Sequence, residues 1–164
     1  MQLLITGSPG TGKTTIAKML AKRLKCKYIN ELDFSLKKGL GKWDHESGEL
    51  VVPLSALKRE LSKELAKEKD IIVEGHLLCE TKLPVDYVVL LRVHPEILEE
   101  RLRRKQYEEL KVADNVFCEG IDYCKKHVSR RYAESKIIEI KNEGNINNTI
   151  KNILKELNLR GFHA

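Results

Sequence analysis

Residues 7–14 read Gly-Ser-Pro-Gly-Thr-Gly-Lys-Thr, a spacing suited to holding a polyphosphate. Gly7, Gly10 and Gly12 permit a tight turn. Along Pro9, Gly10, Thr11 and Gly12 the backbone can wrap phosphate oxygens, and a helix starting at Lys13 adds the positive end of its dipole. Lys13 is expected to reach the β- and γ-phosphates. The Thr14 hydroxyl is expected on Mg²⁺, and the Thr15 hydroxyl on the α-phosphate. An apolar strand before the loop and an amphipathic helix after it complete the pattern. Together they imply a nucleoside triphosphate such as ATP, whose terminal phosphate is moved or released.

A Mg²⁺ ion keeps several waters, and a carboxylate at a strand end commonly holds them. Glu74 closes the run Ile71-Ile72-Val73 and is the first candidate for that role; Asp33 is the next. Asp86 reads as structural. His76 follows Glu74 and Gly75, where an imidazole would orient an attacking oxygen or water. Arg101, Arg104 and Lys105 share one helical face. They form a cationic clamp, with Arg101 acting on the transferred phosphate and Arg104 and Lys105 on the nucleotide. Asp33, Glu74 and Arg92 are the candidates for the acceptor side. Lys125, Lys126, Arg130 and Arg131 read as a solvated basic helix face.

Hydrophobic periodicity supplies the elements that carry these residues. Strands are expected at 2–6, 27–29, 71–73, 87–93 and 135–140. Helices are expected at 13–25, 53–69, 95–105, 112–133 and 146–157, with an interruption near Gly120. The stretch 31–52 shows no clear period. Strands alternating with helices imply a parallel sheet covered on both faces, so the fold class is three-layer α/β/α with five strands. The site then lies at the carboxyl ends of the strands.

At 164 residues, the chain fits one domain able to bury a core without staples. No apolar run approaches the roughly 20 residues of a membrane helix. No secretory leader is apparent, so the expected location is cytoplasmic, or nuclear in a eukaryote. Cys26, Cys79, Cys118 and Cys124 are scattered and read as reduced thiols, with no metal cluster. The 30 Lys and Arg exceed 24 acids, a net charge of +6 that suits anionic partners such as nucleotides or RNA.

These residues resemble the nucleoside monophosphate kinases, and within them the adenylate kinase isoenzyme six family, also described as coilin-interacting nuclear ATPases. Four stretches carry the likeness: GSPGTGKTT with KYIN at 27–30; VEGH at 73–76 with Cys79; VDYVVLLRV at 85–93; and RLRRKQYEELKVADNVFCE at 101–119. In the last, Tyr107, Lys111, Asn115 and Glu119 fall in register with the family's lid. The chain departs from the family in four places. Lys105-Gln106 stands for Arg-Gly, Glu74 for Asp and Gly75 for an aromatic, and no Arg occurs in 33–48. The resemblance implies an acceptor-binding insert at about 30–53 and a lid at about 103–114. It implies ATP- and Mg²⁺-dependent phosphoryl transfer to a monophosphate, typically AMP, with broad acceptor tolerance. It also implies ATP hydrolysis tied to maturation of the small ribosomal subunit, through small-subunit ribosomal protein eleven. An ATPase assembly factor with little kinase activity, and a small-metabolite kinase on the same fold, remain the alternatives.

Overall fold

The computed structural model describes residues 1–162. Its centre is a five-stranded sheet of β1 (Gln2–Thr6), β2 (Lys27–Asn30), β5 (Ile71–Glu74), β6 (Tyr87–Arg92) and β7 (Ile137–Lys141), in the order β2-β5-β1-β6-β7. Every pairing is parallel, as the alternating pattern predicted. Apolar residues fill successive strand positions because both faces are covered. Leu4, Val73, Val88 and Leu90 point to one face, against α3 (Leu54–Lys67) and α6 (Tyr123–Arg131). Leu3, Ile5, Ile72, Val89 and Leu91 point to the other, against α1 (Lys13–Leu24) and α7 (Ile146–Leu159). On α1, Ile16, Ala17, Leu20 and Ala21 form the buried stripe. The helix stops at Lys25, whose φ of 52° is left-handed.

The segment without a period folds into two pieces. Helix α2 (Glu31–Lys37) is capped by the Asn30 side chain, which accepts from Asp33 N. A hairpin of β3 (Lys42–Asp44) and β4 (Glu49–Val51) follows, separate from the main sheet. The helical stretch expected at 112–133 is two helices, α5 (Glu109–Gly120) and α6, with the expected interruption near Gly120 falling at Ile121–Asp122. Asp122 takes a left-handed φ of 60°, a conformation a continuous helix cannot contain.

Helix α4 (Pro95–Arg104) starts as its sequence indicates, with Pro95 in the first turn and His94 Nδ1 accepting from Glu96 N. Leu98 and Leu102 of α4 pack with Val112 and Val116 of α5 in a third apolar cluster. Among the described residues, no helix is long and apolar enough to cross a membrane.

Candidate active site

The β1–α1 loop closes around the Ser8 carbonyl. That oxygen accepts from Thr11 N at 3.3 Å, Thr11 Oγ1 at 2.8 Å and Lys13 Nζ at 2.9 Å. Lys13 is buried, and desolvation holds its pKa below the ordinary lysine value although the Glu74 carboxylate opposes this. Gly12 has φ 92°, and a Cβ there would also run into the Asn142 amide, so glycine is required on two counts. That amide donates to Thr11 O at 2.9 Å, while its oxygen accepts from Thr149 Oγ1 at 2.9 Å. The loop is thus braced from β7's end before any ligand arrives.

Glu74 stands opposite the loop, at the end of β5. It is 1% exposed, and its Oε1 accepts from Thr14 Oγ1 at 2.9 Å, Tyr28 Oη at 2.9 Å and Asn30 Nδ2 at 2.5 Å. The parallel register explains the last contact, since Asn30 lies beside Glu74 across β2 and β5. Hydroxyl and carboxylate oxygens meeting at the mouth of the loop are the donors a hard cation such as Mg²⁺ prefers. The chemistry of these residues therefore fits such an ion.

Sequence reasoning missed Glu31. This first residue of α2 is 4% exposed, and its carboxylate accepts from Leu77 N at 3.0 Å. Burial pushes its pKa up to about 7, with the Lys13 charge restraining the shift. It lies so close to Gly75 that any Cβ there would overlap it. That overlap is the physical reason residue 75 has no side chain. His76 follows, an exposed ring at the mouth of the site. Desolvation by its surroundings, then the Lys13 charge, holds its pKa below the usual imidazole value.

The other predicted residues divide into those near the loop and those away from it. Pro9 and Gly10 line its rim, and Gly10 abuts Leu98 and Leu102. Thr15 is exposed in the first turn of α1. Arg101 Nη2 donates to Asn142 O at 2.7 Å, which places it against the brace of the loop. Arg104 and Lys105 are not hydrogen-bonded to the loop: Arg104 is exposed and pairs with Glu100, and Lys105 caps the end of α4.

Asp33 is exposed beyond Asn30. Arg92 does not join Asp33 and Glu74. Strands β5 and β1 separate it from β2, and its guanidinium binds Glu119, Asp122 and Glu139. Those partners lie 27 to 47 residues further along, so nothing local in the sequence announces them. Cys26, Cys79, Cys118 and Cys124 are all free thiols.

The loop with its buried Lys13, Thr14 paired to Glu74, and Glu31 beside Gly75 thus gather at the ends of β1, β5 and β2. Comparison with known proteins gives the family and the fold. A family model described as an AAA domain matches residues 3–122. A Pyrococcus abyssi protein described as "Putative adenylate kinase" is 45% identical over 122 residues, which is 74% of this chain and 65% of that protein's length. A Thermococcus gammatolerans protein of the same description is 34% identical over 161 residues, 98% of this chain and 87% of the relative. Among solved structures, shikimate kinase from Acinetobacter baumannii in complex with shikimate superposes with a TM-score of 0.67 at 21% identity, over 99% of this chain and 95% of that one. That likeness speaks to the fold alone.

Proposed function

The chain belongs to the AAA domain family and to the family of the Thermococcus gammatolerans protein, and from that premise we propose that it is an ATP-dependent nucleoside monophosphate kinase of the adenylate type. We place it nearest the isoenzyme six branch. The observation that carries the reading is the meeting of Thr14 and Glu74 over a loop whose Lys13 is buried. The reaction is ATP + AMP to 2 ADP. The bond from the γ-phosphorus to the β-phosphate oxygen breaks, and a bond from the same phosphorus to an AMP phosphate oxygen forms.

Each residue has a defined task in this scheme. The loop N–H groups and Lys13 hold the β- and γ-phosphates, and Thr14 with Glu74 would hold Mg²⁺. When bound, that ion neutralises charge shared by the β- and γ-oxygens. Tyr28 and Asn30 fix the Glu74 carboxylate. His76 orients the incoming oxygen. Arg101 adds positive charge beside the loop. The 31–52 segment forms the bed for the acceptor, and residues 103–114 act as the lid. Phosphoryl transfer depends chiefly on such positioning and charge, so no covalent intermediate is required.

A second reading is an ATPase that drives small-subunit maturation through small-subunit ribosomal protein eleven. The lack of any Arg in 33–48 favours it, because Lys does not replace a bidentate Arg on a phosphate. Initial rates of ADP formation with ATP and a panel of monophosphates, beside a no-acceptor control, separate the two. The kinase reading expects a clear increase with AMP. It fails if no monophosphate raises the rate above the control.

A further inference from the structure

We propose that helix α5 couples the phosphate loop to the β3–β4 hairpin, with Glu119 and Lys111 as the positioning residues near its two ends; the inference rests on the loop being a triphosphate site. Glu119 is 2% exposed and ties α5 to the loop. Its Oε2 accepts from Ser8 Oγ at 2.6 Å, and its Oε1 accepts from Arg92 Nε at 2.6 Å and Val93 N at 3.3 Å. Both carboxylate oxygens are therefore committed to the loop and the end of β6.

Lys111 lies about two helical turns earlier on α5. Its Nζ donates to Ser47 O at 3.0 Å and pairs with Glu49 Oε1 at 3.1 Å, both on the hairpin. Between these ends, Val112 and Val116 pack on Leu98 and Leu102 of α4, and the latter two abut Gly10. The α4–α5 pair thus touches the loop at Ser8 and at Gly10. A close-packed pair moves as a unit, so displacement of Ser8 and Gly10 by phosphate oxygens reaches Lys111 and, through it, the hairpin. Coupling of this kind is reciprocal: whatever binds against the hairpin changes the affinity of the loop by the same factor. Lys111 and Glu49 are partly exposed, and such pairs contribute little to stability. Cutting the link there leaves the fold intact.

Trp43, the only tryptophan, sits on β3 and reports on the hairpin. The test adds the non-hydrolysable β,γ-imido analogue of ATP with Mg²⁺ and follows three signals: calorimetric binding, Trp43 emission, and amide exchange of residues 42–51. In the wild-type chain the analogue is expected to shift Trp43 emission and to slow hairpin exchange about fivefold or more. In Lys111→Met both hairpin signals vanish at analogue concentrations that saturate the loop by calorimetry, whatever the affinity. The charge-swapped double variant Lys111→Glu, Glu49→Lys restores part of them, which a merely structural lysine would not require. Hairpin signals that persist in Lys111→Met, or that are missing in a wild-type chain with analogue bound, overturn the proposal. Absence of calorimetric binding to the wild-type chain instead overturns the triphosphate reading beneath it.

Discussion

Gly75→Ala places a methyl group inside the volume of the Glu31 side chain. The backbone at residue 75 is not left-handed, so alanine is conformationally allowed there. On that ground alone the substitution would stabilise the chain by about 0.4–1 kcal/mol, through a less flexible unfolded state. The neighbouring carboxylate reverses the sign. Both the Cβ and the carboxyl group of Glu31 lie within overlap of the added carbon. If Glu31 swings away, Leu77 N loses its acceptor, and a buried N–H left without one costs about 1–3 kcal/mol. If α2 shifts outward instead, the overpacking costs a similar amount, about 1–3 kcal/mol. For a domain of this size each kcal/mol moves Tm by roughly 2–4 °C, so with the backbone gain subtracted the net expectation is a fall of up to roughly 10 °C. Scanning calorimetry on four proteins provides the assay: wild type, Gly75→Ala, Glu31→Ala and the double variant. In the Glu31→Ala background the overlap with the carboxyl group is gone but the residue-31 Cβ still lies within overlap, so the alanine at 75 is expected to cost less than in the wild type without becoming neutral. A Tm for Gly75→Ala at or above that of the wild type would refute the reasoning.

Three other outcomes follow from the same geometry. Glu31 titrates near 7 when folded against an ordinary 4.5, so the folded state holds this proton more tightly. Stability from this group is therefore fully present below about pH 4.5 and is lost as pH rises through 7, by at most about 3 kcal/mol. Urea denaturation at pH 5 and pH 7.5 should show this slope in the wild type and a flatter one in Glu31→Gln. Arg92→Ala strands the buried Glu119 carboxylate and should cost about 3 kcal/mol or more in urea denaturation, a loss too large for a surface ion pair. His76→Ala should lower turnover about a hundredfold while calorimetric ATP affinity stays within about twofold; an unchanged rate would make the residue structural.

The phosphate loop was legible because its residues are contiguous and their neighbours carry the right periodicities. Glu74 was legible because it closes a short apolar strand. The three donors that fix its carboxylate were harder to read. Tyr28 and Asn30 reach it through the parallel pairing of β2 with β5, a contact between segments 44 residues or more apart. Glu31 lacked a local signal, since a glutamate opening a helix ordinarily faces water; the bare position at Gly75 was the clue that something fills the space. The hairpin was hidden by its brevity, although Trp43 opposite Leu50 and the left-handed Gly48 mark it once seen. Arg92 at a strand end suggests a group facing substrate. Burial beside Glu119 turns it into a brace between β6, α5 and the loop instead.

The central claim is that the terminal phosphate passes from the loop at Gly7–Thr14 to a monophosphate. The direct measurement incubates γ-labelled ATP with AMP and separates the products, using wild type and Lys13→Ala. The account predicts label in newly formed ADP with the wild type and neither transfer nor hydrolysis with Lys13→Ala. Label recovered only as inorganic phosphate, at a rate that AMP does not change, would contradict it.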